Sequence, residues 1–114
     1  MTLATIGTEA ELDALLESSA NRPVLIYKHS NACGVSTRGK GQVEQYLAGH
    51  PTPSFGFAMV VVQDARELSD AIEQRLGVRH ETPQAIVVRG GKAVWTASHF
   101  DVTAARLKMA LEGL

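Results

Sequence analysis

Only one cysteine, Cys33, occurs in the 114 residues, so no disulfide can close within the chain and no zinc site built from several of its own cysteines is available. Any sulfur chemistry has to be intermolecular, and no metal site is expected. A basic surplus is missing as well. The 11 Lys and Arg stand against 12 Asp and Glu, which leaves no field for holding phosphate backbones and argues against nucleic acid as a partner. Nowhere does an apolar run approach the roughly 20 residues a membrane helix needs. The opening segment Met1 to Gly7 lacks the basic start and apolar stretch of a secretory signal. The expectation is a cytoplasmic protein with no membrane partner. Repeats, low-complexity stretches and long linkers are also absent. The length matches the common domain size of roughly 100–150 residues, so residues 1–114 are expected to form a single domain.

What is present is an apolar pattern that changes period along the chain, the mark of mixed α and β structure. Leu3 to Ile6 predicts a short edge strand. Thr8 opens a helix, with Glu11 completing a capping box and Leu12, Leu15 and Leu16 forming its apolar face. Pro23 to Lys28 is a continuous apolar run and so reads as a strand buried on both faces. After a polar turn, a helix runs from Cys33 to about Leu47, weakened by Gly34, Gly39 and Gly41. Phe57 to Val62 is a second buried strand. Asp64 with Glu67 is expected to cap a helix through Leu68, Ala71, Ile72 and Leu76 that ends at Gly77. Ala85 to Arg89 and Lys92 to Ser98 form a hairpin across Gly90-Gly91, and Asp101 or Thr103 opens a closing helix through Leu107 and Leu111.

In order this is β-α-β-α-β-α-β-β-α, an α/β fold with a central mixed sheet flanked by helices. A helix of crossover length makes the two central strands parallel, and the Gly-Gly hairpin adds antiparallel ones. That is the thioredoxin arrangement.

Within it Cys33 falls just past a buried strand and at the start of a helix, where open α/β folds place their sites. A thiolate there meets free N–H groups and the positive end of the helix. The dipole alone is a weak lever, so hydrogen bonds have to supply most of any pKa depression. The donors at hand are the backbone N–H groups of Gly34, Val35 and Ser36 and the Ser36 hydroxyl, with Lys28 or His29 as sources of positive charge. Free cysteines are commonly buried as small hydrophobes. The polar and small neighbours Ser30, Asn31, Ala32 and Gly34 favour exposure instead. The C-x-x-S spacing puts Ser36 where a second, resolving thiol would stand, so release of a mixed disulfide needs a thiol from outside.

Thr82-Pro83-Gln84 is the second half of the expected site. A proline entering a core strand removes a ladder donor and needs an edge, a strand start or an unusual peptide bond. Most X-Pro bonds are trans. In thioredoxin folds this one is cis and faces the cysteine, so a cis Thr82-Pro83 bond is expected, with the Thr82 backbone pairing with an extended ligand.

These residues together resemble a known family. His29-Ser30-Asn31-Ala32-Cys33-Gly34-Val35-Ser36, Val62-Gln63-Asp64-Ala65-Arg66 with Ser69, Gly77-Val78-Arg79-His80-Glu81-Thr82-Pro83-Gln84-Ala85, then Trp95 and Ser98-His99-Phe100 are similar to the YtxJ proteins, the monothiol bacilliredoxins. The resemblance runs from about Val24 to Leu111. It implies removal of bacillithiol from protein mixed disulfides, with Cys33 as nucleophile and Thr82-Pro83 as the ligand-binding turn. Bacillithiol is then a co-substrate rather than a bound cofactor, and the partners are bacillithiolated client proteins and a low-molecular-weight thiol. Gly34 and Thr82 depart from the proline after the cysteine and the serine before the cis-proline that the family usually carries. Arg66, Arg38 and Lys28 are candidates for the malate carboxylates of bacillithiol. His80 and His99, near strand ends, are candidates for protonating the leaving thiol or else ordinary polar residues, and Trp95 is most simply sheet core.

Two other readings stand beside this one. Gly34-Val35-Ser36-Thr37-Arg38-Gly39-Lys40 matches the G-x-x-x-x-G-K of a phosphate-binding loop, although Gly41 occupies the position of the metal-ligating Ser or Thr. A thioredoxin-like module that binds a partner or senses redox state without turnover would carry the same exposed thiol.

Overall fold

The computed structural model describes residues 4–51 and 53–112. Helix α1 (Glu9–Ser18) leads to strand β1 (Val24–His29), helix α2 (Gly34–Ala48), strand β2 (Gly56–Val61), helix α3 (Arg66–Leu76), strands β3 (Gln84–Arg89) and β4 (Lys92–Ser98), a 3-10 turn (His99–Asp101) and helix α4 (Ala104–Glu112). The sheet has the order β2-β1-β3-β4. β1 runs parallel to β2 and antiparallel to β3, and β3 pairs antiparallel with β4. None of the described helices is long and apolar enough to cross a membrane.

β1 is buried at every position because helices cover both sheet faces. Leu25 and Tyr27 join Val43, Tyr46 and Leu47 of α2 and Leu107 of α4 in one core cluster. Val24 and Ile26 join Leu12 of α1 and Leu68 and Ile72 of α3 in the other. Each such aliphatic side chain contributes about 1.5–3 kcal/mol on burial, which is what fixes β1 at the centre. The alternation continues to the strand end, so Lys28 and His29 point to opposite faces.

Local signals set several element ends. The Thr8 hydroxyl accepts from the Glu11 N–H while the Glu11 carboxylate accepts from the Thr8 N–H, the expected capping box. Gly77 closes α3 at φ 66°, and Gly90 and Gly91 turn the hairpin with φ of 60° and 76°, conformations in which a Cβ is penalised. Two expectations need correction, and one open alternative is decided. The Leu3 to Ile6 strand is reduced to a parallel bridge between Thr5 and Met59, with Leu3 outside the described residues. Met59 donates to Ala4 and accepts from Ile6, after which the chain turns away into α1. Asp64 does not cap α3. The N–H groups of Asp64 and Ala65 both turn back to the Val61 carbonyl, and this turn leaves Ala65 in the cap position with no side-chain hydrogen bond. Thr103, not Asp101, opens α4, its hydroxyl accepting from the Arg106 N–H, because Asp101 is taken up in the 3-10 turn.

Candidate active site

Cys33 is the N-cap residue of α2, with extended φ and ψ of −128° and 122°, and is half-buried. Its side chain closes no formal cap hydrogen bond. The thiol pKa is nevertheless lowered, first by the Ser36 N–H and then by the Val35 N–H, against a smaller opposing effect of burial, with the Ser36 hydroxyl adding the least. Gly34 is exposed and opens the helix.

Ser36 is fully buried, and its hydroxyl has a defined polarity. Its oxygen accepts from the Ser30 N–H at 3.2 Å, which leaves the hydroxyl hydrogen free for Cys33. The turn before the cysteine is held in the same manner. Ser30 Oγ accepts from the Ala32 N–H at 3.3 Å and from Gln63 Nε2 at 2.7 Å, while Gln63 Oε1 accepts from the Asn31 N–H at 3.1 Å. One amide beyond β2 thus pins two residues of the loop that carries the thiol.

Tyr27, which by sequence looks like any other residue of the buried strand, lies beneath this turn. Its buried hydroxyl donates to the Ser36 carbonyl at 2.6 Å. Its pKa is pushed upward, first by burial and then by the negative charge Cys33 can carry. Gly39 explains itself here. A Cβ at Gly39 would stand 2.6 Å from the Tyr27 hydroxyl oxygen and 3.3 Å from Pro83 Cβ, so the glycine that weakens α2 lets it approach β1 and the proline closely.

The Thr82-Pro83 bond is cis, as expected, and Pro83 is buried. Beyond the last β1–β3 pair, Lys28 with Gln84, the chains continue into His29 and Pro83, which brings the proline to the strand end from which Cys33 follows. The Pro83 carbonyl accepts from the His99 N–H at 2.8 Å. His99 takes a left-handed φ of 56°, and its ring stands 3.4 Å from the Glu81 carboxylate. Arg38 lies 5.7 Å over the ring of Phe100, itself 64% exposed.

The remaining candidates separate. Lys28 turns to the α3 face, fully buried, with Nζ 2.6 Å from His80 Nδ1. Burial pushes its pKa down to about 8, against the weaker pull of Glu73 and Asp70. His80 is lowered by burial and by Lys28. His29 faces α2, where burial and then Lys40 lower its pKa, so it is neutral at neutral pH. The depression of the Cys33 pKa therefore comes from α2 itself, and neither Lys28 nor His29 supplies the positive charge assigned to them. Arg66, with His80 and Ser69, lines a cavity on the α3 side, apart from Arg38 on α2. Trp95 is half-buried against the α2–α4 cluster, in keeping with sheet core. The phosphate-loop reading fails on geometry. Gly34 to Lys40 lie within α2, where backbone N–H groups beyond the first turn are committed to carbonyls of the helix itself.

A cysteine opening the helix after the central strand, with a cis-proline at the adjoining strand end, places the chain among thioredoxin-fold thiol oxidoreductases. Solved structures agree. A protein described as a candidate oxidoreductase with a thioredoxin fold matches at a TM-score of 0.86 and 28% identity, covering 96% of this chain and 93% of its own. Fasciola hepatica thioredoxin matches at 0.78 and 19% identity, over 97% and 98% of the two chains. The N21Q variant of Halobacterium salinarum thioredoxin matches at 0.75 and 23%, over 98% and 89%. Within this class the chain belongs to the monothiol bacilliredoxin family, whose model, Monothiol bacilliredoxin BrxC, matches residues 4–107.

Proposed function

We propose that this chain removes bacillithiol from protein mixed disulfides in the cytoplasm, with Cys33 as the only thiol it contributes. The carrying observation is a lone cysteine seated at the N-cap of α2, where the N–H groups of Ser36 and Val35 favour its thiolate. The Cys33 thiolate attacks the bacillithiol sulfur of a client mixed disulfide. The client–bacillithiol S–S bond breaks, the client sulfur leaves with the electron pair and takes a proton from solvent, and a Cys33–bacillithiol disulfide forms. A second bacillithiol, as thiolate, then attacks the bacillithiol sulfur of that adduct, which regenerates the Cys33 thiolate and releases bacillithiol disulfide. The client segment lies along Thr82, whose backbone precedes the cis-proline and has no backbone hydrogen-bond partner among the described residues, which suits it to pairing in β fashion. Family membership and the Cys33 environment support this reading.

The test is turnover. A purified bacillithiolated client should lose one bacillithiol per protein molecule, with the adduct appearing on Cys33 by mass spectrometry, and free bacillithiol should make the reaction catalytic. Cys33→Ser should abolish both. A serine variant of undiminished rate, or a client that keeps its bacillithiol in the presence of the native protein, would overturn the proposal in favour of another nucleophile or a non-catalytic module.

A further inference from the structure

A cavity of about 350 Å³ opens beside the turn that carries Cys33, lined by Val62, Gln63, Arg66, Ser69, Asp70 and His80. We infer that it is a subsite for the carboxylate-bearing part of a low-molecular-weight thiol disulfide-bonded to Cys33. The inference rests on the disulfide exchange proposed above.

Behind His80, which lines the cavity, lies a buried cation. Lys28 is fully buried and forms no ion pair among the described residues, its close partner being His80 Nδ1 at 2.6 Å. Glu73 and Asp70 pull on this charge less strongly than burial opposes it, burying an incompletely compensated charge is costly, and a carboxylate brought into the adjoining cavity offsets part of that cost. The hydrogen bonding leaves donors free for it. A protonated Lys28 donates to Nδ1, so the neutral imidazole carries its hydrogen on Nε2. Ser69 Oγ lies 3.3 Å from the same Nδ1, whose single lone pair the nearer ammonium occupies, so the serine hydrogen is available to a ligand. Arg66 at the rim is exposed and has no ion-pair partner among the described residues. Asp70 is the opposing charge on the wall, and it selects a ligand that also carries an amino or hydroxyl group. Carboxylate together with amine or hydroxyl is the chemistry of cysteine-derived small thiols.

Reach follows from the pinned loop. Gln63 lines the cavity and holds the Asn31 N–H, and two extended residues span at most about 7 Å, the separation from Asn31 to Cys33. The non-sulfur part of a thiol bonded to Cys33 therefore has the cavity beside Gln63 within its reach.

The experiment measures second-order rates of Cys33 adduct formation, by mass spectrometry, with bacillithiol disulfide, glutathione disulfide and uncharged 2-hydroxyethyl disulfide. The native protein should prefer at least one carboxylated disulfide over the uncharged one by tenfold or more at low salt, and the larger ratio identifies the thiol. Arg66→Glu should cut that ratio at least tenfold, and Arg66→Lys should keep most of it. Lack of preference in the native protein, or a ratio unchanged by Arg66→Glu, would overturn the subsite. The two proposals fail separately. Client release with an Arg66-independent ratio removes the subsite alone, and an Arg66-dependent ratio without client release removes only the client reaction.

Discussion

Tyr27 donates its buried hydroxyl hydrogen to the carbonyl of Ser36 across 2.6 Å, tying the central strand to the helical turn whose N–H groups stabilise the Cys33 thiolate. Strand and nucleophile are thereby held by one bond between residues nine apart. Removing that hydroxyl while keeping the ring should show its worth. Tyr27→Phe is expected to cost about 1–2 kcal/mol in urea unfolding and to slow alkylation of Cys33 at neutral pH. Native stability with native alkylation would show that the bond does not position the turn.

Ser36→Ala removes a donor to the sulfur and orphans the Ser30 N–H. The Cys33 pKa should rise, so the pH midpoint of iodoacetamide alkylation moves upward and the rate at pH 7 falls several-fold, up to about tenfold. An unmoved midpoint would leave the backbone N–H groups as the sole source of the depression.

Gly39→Ala sets helix propensity against sterics. Alanine favours a helix by about 1 kcal/mol over glycine, but the new methyl would meet the Tyr27 hydroxyl at 2.6 Å, and overpacking of this kind costs about 1–3 kcal/mol. Net destabilisation is expected. Combining it with Tyr27→Phe should cost less than the sum of the two single changes, read from denaturation midpoints. Additivity would place the strain elsewhere.

Lys28 gives the fold a pH dependence of definite sign. Its folded pKa of about 8 lies below the ordinary 10.5, so between these values the unfolded chain binds more protons and stability rises with pH. Below pH 8 both states are protonated and the full cost of burying the charge is present. Lys28→Met should abolish the Lys28 contribution to that rise, on the order of 2 kcal/mol, and leave stability at pH 7 equal or higher. Urea titrations of both proteins at pH 7, 8, 9 and 10 give the difference curve. A flat difference would mean that the ammonium is solvated.

The sequence by itself determined the order of helices and strands from α1 onward, the hairpin, the place of Cys33 at a helix start and the cis-proline segment. Those features rest on short-range physics: a capping box, glycines with positive φ, an apolar run bounded by turns, and the absence of a second thiol. Only the tertiary structure decided which face each residue of β1 serves. A strand buried on both sides shows no alternation, so nothing local separates Lys28, which meets His80 52 positions away, from His29, which turns toward α2. Tyr27 and Gly39 were hidden for the same reason, one resembling ordinary core and the other a helix defect, until the packing of α2 on β1 brought hydroxyl, glycine and proline together.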